Sequence, residues 1–146
     1  MELSYITAND NATILIKNQI ADFLYEHLDE FGDSILDIKK CLDYALSKYP
    51  HQGGYVVLAK DNGNICGCVV MTVTGMESFV PENLLVYIAV HKEYRGKGLG
   101  KQLMQRAIKM AKGSIALHVE PNNPAKGLYE KLGFTNKYLE MRLSQE

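Results

Sequence analysis

Apolar positions change their period several times along the chain, and each change marks an element. Residues 3–7, LSYIT, alternate over strand length, and Asn9, Asp10 and Asn11 follow as a turn or cap cluster. Ile14, Leu15, Ala21, Leu24 and Leu28 then recur at a spacing that predicts a helix ending near Gly32. Asp33 or Ser34 can cap a second helix carrying Ile35, Ile38, Leu42 and Leu46, which Pro50 and the Gly53-Gly54 pair bring to an end. From Tyr55 the period shortens. Residues 55–59 read as a strand, Asp61-Asn62-Gly63-Asn64 as a hairpin turn, and 65–74 as the partner strand. A loop over 75–81 leads to an apolar, β-branched and aromatic run at 84–90, after which Leu99, Leu103, Ala107 and Met110 restore the helical spacing as far as Gly113. Residues 115–119 predict a further strand, Asn123 caps a short helix with Pro124 at its first position and Gly133 after it, and 134–143 predict a final strand. The order predicts one α/β domain over residues 1–146, built on a mixed, mostly antiparallel sheet.

The chemistry concentrates where the strand at 84–90 meets the helix that begins near Leu99. The joining stretch, VHKEYRGKGLG, sets Arg95, Gly98 and Gly100 in the pattern R-x-x-G-x-G, with Gly96 as a further glycine. A helix entry of this kind is an anion site, because the first N–H groups of a helix have no partner within it and the dipole adds partial positive charge. Without Cβ atoms at Gly96, Gly98 and Gly100 the backbone can approach a phosphate closely, and Arg95 and Lys97 add mobile positive charge. Two nucleotide motifs are excluded. Gly100 is followed by Lys101-Gln102 and not by the Lys-Ser or Lys-Thr of a P-loop, and the third glycine of a dinucleotide fingerprint would fall on Lys101 or Leu103.

Composition narrows the class without choosing a function. The chain has 146 residues, enough for one domain with a genuine core, and its 47% hydrophobic and 23% charged residues are those of a soluble globular protein. A net charge of -1 gives no footprint for nucleic acid. No apolar run approaches the ~18 residues of a membrane span, and residues 1–4 lack a signal-peptide layout. Cys66 and Cys68 share one face of a strand and are badly placed to bridge, and with Cys41 they make an odd count without further soft ligands nearby. Reduced, buried thiols point to the cytoplasm, and no metal is expected.

Taken together, VHKEYRGKGLG and the later NNPAKGLYEKLGF resemble the GNAT superfamily of acetyl-CoA-dependent N-acetyltransferases, and the order of elements over residues 3–143 follows that fold. The resemblance implies a central sheet of six to seven strands flanked by about four helices, with acetyl-CoA as co-substrate and no metal. It implies that the backbone of Ile88, Ala89 and Val90 pairs with the pantetheine arm, whose two amides need partners in a dry cleft. Backbone N–H groups over Arg95, Gly96, Lys97, Gly98, Leu99 and Gly100 would hold the pyrophosphate, Asn123 would reach the pantetheine arm, and Tyr129 would stand by the thioester sulfur as general acid. Lys126 and Lys131 could meet the adenosine phosphates.

The chain departs from many relatives at the general base. Where they carry a glutamate within the central strand, Leu84, Leu85, Val86 and Tyr87 stand here. Glu82 at the strand's entry is the candidate base, with Glu77, His118, Glu120 or a chain of water molecules as alternatives. The first two helices are acidic on their polar sides, through Asp22, Glu26, Asp29, Glu30, Asp33, Asp37 and Asp43. That cast suits a cationic amine such as a polyamine, an aminoglycoside or a lysine, while a protein N-terminus or a small amino-acid derivative is equally allowed, for a monomer or a homodimer. An acyl-CoA sensor without turnover and a structural domain that binds nothing are the readings from other classes.

Overall fold

In the computed structural model, which describes residues 1–145, the helix starts follow from side chains that take up free N–H groups. The Thr13 hydroxyl accepts from the Ile16 N–H at 3.2 Å to begin α1 (Ile14–His27), and the Ser34 hydroxyl does the same for Asp37 at the head of α2 (Ile35–Ala45). Along α1 the buried stripe is Ile20, Ala21, Phe23, Leu24 and His27. Of the residues expected on that stripe, Leu15 lies on the opposite face and Ile14 beside Ala21's edge of the stripe but in the first, outlying turn, and both are exposed.

The strands β1 (Glu2–Ile6), β2 (Gly54–Asp61), β3 (Asn64–Val73), β4 (Asn83–Val90) and β5 (Ile115–Leu117) form one sheet in the order β1-β2-β3-β4-β5. The first three pairings are antiparallel and β4 runs parallel to β5. Asn62 and Gly63, at φ 51° and 81°, make the tight hairpin turn between β2 and β3 that the Asn-Gly pair predicts. Alternation along the strands feeds two core layers. Val56, Leu58 and Val70 pack under α1 and α2, while Val57, Val69 and Met71 pack under α3 (Leu99–Met110) and α4 (Ala125–Lys131).

Two details of β4 open a cleft in the sheet. First, Val70 pairs with Tyr87 but Met71 pairs with Leu85, so Val86 is an extra residue in the strand. This bulge changes the faces: Leu85 serves the α3 layer, while Val86 and Tyr87 both serve the α1–α2 layer. Second, β5 pairs only with residues 83–85 of β4. Past the bulge, one edge of β4 has no neighbouring strand among the described residues.

The final strand expected over 134–143 is not formed, so the described sheet has five strands and not six to seven. Gly133, at φ 101°, turns the chain out of α4, and Phe134 tucks back, its N–H donating to the Tyr129 carbonyl at 3.0 Å. Beyond it Leu139, Met141 and Leu143 keep the alternation of a strand but meet no sheet, and all are more than four-fifths exposed. Alternation says which face a strand would bury; it does not supply the edge on which to bury it. Among the described residues no helix is long and apolar enough to cross a membrane.

Candidate functional site

The open edge of β4 is specific down to the residue. The His91 N–H donates to the Cys66 carbonyl of β3 at 2.9 Å, so His91 turns its backbone groups toward β3. Alternation then turns Ala89 toward β3 as well, opposite Cys68, and turns Ile88 and Val90 to the open side. Of the three residues expected to pair with a ligand, Ala89 is therefore corrected: its N–H and C=O belong to the sheet. Ile88 presents both of its groups, and Val90 its N–H, to the cleft that opens where β4 and β5 part; the Val90 carbonyl accepts from Arg95.

At the end of that edge the chain passes through a 3-10 turn at Lys92–Tyr94 and enters α3 through Gly98. Gly96 and Gly98 lie at φ 78° and 83°, the left-handed region that favours glycine. A Cβ on either would meet nothing within 4 Å, so the space above them is open. No side chain caps α3, and the first bond into the helix is from Gln102 to the Gly98 carbonyl. The N–H groups of Lys97, Gly98, Leu99, Gly100 and Lys101 have no partner among the described residues. Such a run, with Lys97 and Lys101 beside it and no acidic residue in the first turn of α3, is a cradle for a bound anion. Gly100 also packs against Leu128 of α4 and Val90, at 3.5 and 3.8 Å from where its Cβ would stand.

Arg95 does not supply the mobile charge expected of it. Its Nε donates to the Val90 carbonyl at 2.9 Å, one terminal nitrogen to the Asp29 carboxylate at 3.0 Å and the other to the His27 carbonyl at 2.9 Å. Lys92 also reaches Asp29, at 3.8 Å. The His27 ring lies buried between Phe23 and His91, with centroid distances of 4.7 and 4.4 Å, and its Nδ1 has no partner. Sequence alone could not find this arrangement, since Arg95 and Asp29 stand 66 positions apart. Lys97 lies 5.8 Å from the centre of the Tyr94 ring, whose hydroxyl donates to Asp61 at 2.6 Å.

On the far wall of the cleft, Tyr129 of α4 is buried, and burial pushes its hydroxyl up to about 12, so it stays protonated at neutral pH. The hydroxyl has no hydrogen-bond partner among the described residues. The Asn123 side-chain carbonyl accepts from the Ala125 N–H at 2.9 Å, which leaves its amide NH₂ to reach elsewhere. Pro124 itself is the cap and α4 begins one residue later than expected. His118 and Glu120 are exposed just past β5, and Lys126 and Lys131 belong to α4.

Glu82 stands at the opposite end of β4, and its carboxylate is committed. One oxygen accepts from the Ser114 N–H at 2.9 Å and the other from the Ser78 N–H at 3.1 Å, and these bonds hold its pKa below the usual carboxylate value. With both oxygens engaged, Glu82 clamps the loop before β4 to the start of β5. Three of the seven carboxylates of the acidic face are engaged within the protein. Asp29 pairs with Arg95, Asp43 with Lys17 at 3.3 Å, and Asp33 accepts from the Tyr87 hydroxyl at 2.5 Å, while Glu26 stays exposed. Burial and the Asp33 carboxylate together raise the Tyr87 pKa far above its ordinary value. A surface depression of about 340 Å³ lies at the Glu82 end among Tyr55, Met76 and Met110, away from the cradle.

The family model described as the acetyltransferase (GNAT) family matches residues 16–134. A curated acetyltransferase of Yersinia pestis (strain Pestoides F) is 30% identical over 119 residues, covering 76% of this chain and 76% of its own length. Among solved structures, a ribosomal-protein-alanine N-acetyltransferase from Brucella melitensis biovar Abortus 2308 superimposes with a TM-score of 0.66 at 17% identity, over 100% of this chain and 99% of its own. An aminoglycoside N-acetyltransferase in complex with CoA superimposes with a TM-score of 0.68 at 16% identity, over 99% and 95%.

Proposed function

The chain belongs to the acetyltransferase (GNAT) family, and from that premise we propose that it transfers the acetyl group of acetyl-CoA to a primary amine by direct attack in a ternary complex. The observation that carries this reading is the run of unpartnered N–H groups over residues 97–101, set beside the strand edge where Ile88 and the Val90 N–H have no neighbouring strand. The first N–H groups of a helix have no partner within it and favour an anion, and a diphosphate followed by an amide-bearing arm would satisfy both rows at once. Bound acetyl-CoA supplies the activated acetyl group. The cradle takes the pyrophosphate, Ile88 and Val90 take the arm, and the free NH₂ of Asn123 meets it from the other wall.

The remaining chemistry asks for a polarised carbonyl, a protonated leaving thiolate and a neutral amine. A backbone N–H of the open β4 edge near Val90, left free by the arm, serves the first need. Tyr129, unpartnered and protonated, serves the second as general acid. With β4 apolar beyond Asn83 and Glu82 clamped, the amine's proton leaves through water. The acceptor is a primary amine, and both a cationic amine and a protein N-terminus belong in the trial set, as the named neighbours act on one or the other. A sensor that binds acyl-CoA without turnover is the second reading, favoured only by the missing strand carboxylate. Two measurements test the proposal. Acetyl-CoA should raise the melting temperature, because it binds the folded state alone. Free CoA thiol should then appear with at least one amine of a broad panel; stabilisation with no thiol release from any amine favours the sensor.

A further inference from the structure

Asp29 is the first residue past the cap of α1, and its side chain reaches out of its own turn to another element. Its φ of 56° is the left-handed backbone usual just after a helix end, which an aspartate tolerates. Its carboxylate points at Arg95, and Arg95 in turn holds both the His27 carbonyl and the Val90 carbonyl. Val90 is the last residue of the open β4 edge, and Arg95 is the residue from which the cradle starts. The ion pair is half exposed on both sides, and such pairs add little to folding. An exposed ion pair whose arginine also holds two backbone carbonyls, from α1 and from β4, is better explained by what the pair positions.

We propose that Asp29 is a positioning residue for acyl-CoA binding: it anchors Arg95 so that the Val90 carbonyl is capped and the N–H groups of residues 97–101 are pre-set toward the pyrophosphate. The inference rests on acyl-CoA being the ligand of the cradle. Asp29 itself touches no ligand; it works through Arg95. The same link ties the end of α1 to the start of the phosphate cradle. Preorganising a loop in its bound conformation raises affinity by removing the cost of ordering it.

Simple charge reasoning gives the opposite sign, which makes the test sharp. Removing a carboxylate near a phosphate site should, by Coulomb's law alone, leave CoA binding unchanged or tighten it. The brace predicts weaker binding. Asp29→Asn keeps a residue that tolerates the left-handed region while losing the charge, and Asp29→Gly relieves the backbone outright. Calorimetric titration with CoA and with pantetheine, which lacks the pyrophosphate, reads the effect. Both variants should bind CoA about tenfold more weakly, with pantetheine binding unchanged and melting temperatures no lower than the parent's. A variant damaged in its fold would lose both ligands and its melting temperature together, and that result overturns the proposal. So does CoA binding as tight as the parent's, or tighter, in either variant. If the parent itself fails to bind CoA, the cofactor reading fails first, and the brace falls with it.

Discussion

The two ends of β4 are built on opposite rules. At the Asn83 end every polar group the structure brings together is answered. Glu82 takes two backbone N–H groups, the Asn83 amide donates to the carbonyls of Lys112 and Ser114, and the Thr72 hydroxyl donates to the Leu84 carbonyl. At the Val90 end, backbone donors of residues 97–101 face open space and the strand edge lacks a neighbour. One strand thus joins a finished end, where β5 pairs, to an unfinished end, where the Val86 bulge and the shortness of β5 leave a cleft. The difference teaches where to look for the ligand: a fold leaves backbone groups unanswered where something else completes them.

The largest way to break the contrast is to spoil the unfinished end. Gly98→Val places a β-branched side chain at φ 83° and fills the open space above it. Left-handed backbone costs such a residue about 1–2 kcal/mol, so the variant should melt lower and should lose the acetyl-CoA-induced rise in melting temperature altogether. An unchanged rise would show that residues 97–101 do not hold the pyrophosphate.

Next in size is Tyr129→Phe. It keeps the ring that lies 6.0 Å from Phe134 and removes only the proton. General-acid help is typically worth ~10²–10⁴-fold, and solvent replaces part of it, so kcat should fall toward the lower figure while acetyl-CoA affinity and melting temperature hold. A variant as fast as the parent, with chemistry rate-limiting, would reduce Tyr129 to packing.

The finished end should answer differently. Glu82→Gln weakens the clamp on the Ser78 and Ser114 N–H groups and should lower the melting temperature at pH 7 without removing acetyl transfer. Because the folded-state pKa of Glu82 is depressed, its contribution is present above 4.5 and is lost as pH falls through the folded value. Parent and variant should therefore converge in acid. A variant that stays folded but loses turnover would restore Glu82 as a base.

The smallest effect belongs to His27. Burial is the main cause lowering its pKa below 6.5; Glu26 opposes, while His91, Arg95 and Lys92 add to the lowering. A depressed histidine binds its proton more readily in the unfolded chain, so its share of stability is present above 6.5 and is lost as pH falls through the folded value. Melting curves from pH 8 to pH 5 should fall more steeply for the parent than for His27→Gln; parallel curves would contradict it.

The cradle is readable in the sequence because its information is local: a strand run, glycines at fixed spacing and a helical period all lie within residues 84–110. Gly98 needs no distant partner to be left-handed. The Val86 bulge is hidden because residues 84–90 are all apolar, or nearly so, and a uniform run carries no alternation to show a skipped beat. Arg95 is misleading for the opposite reason, since its partners Asp29 and His27 come from the end of α1, 66 and 68 positions earlier in the chain. Glu82 resembles a base through its nearness in sequence to the central strand, and only the Ser114 and Ser78 N–H groups reveal it as a clamp. Residues 134–143 carry a strand's alternation without a strand's neighbour, which no pattern within the segment could disclose.

The contrast between the two ends can be read amide by amide. In a titration of the isotopically labelled protein with CoA, followed by backbone amide resonances, the N–H signals of residues 97–101 and of Ile88 and Val90 should shift strongly and exchange more slowly with solvent. Those of Ser78, Asn83 and Ser114, already bonded, should barely move. Shifts confined to the Asn83 end, or none at either end at saturating CoA, would contradict the assignment of the Val90 end as the acyl-CoA site.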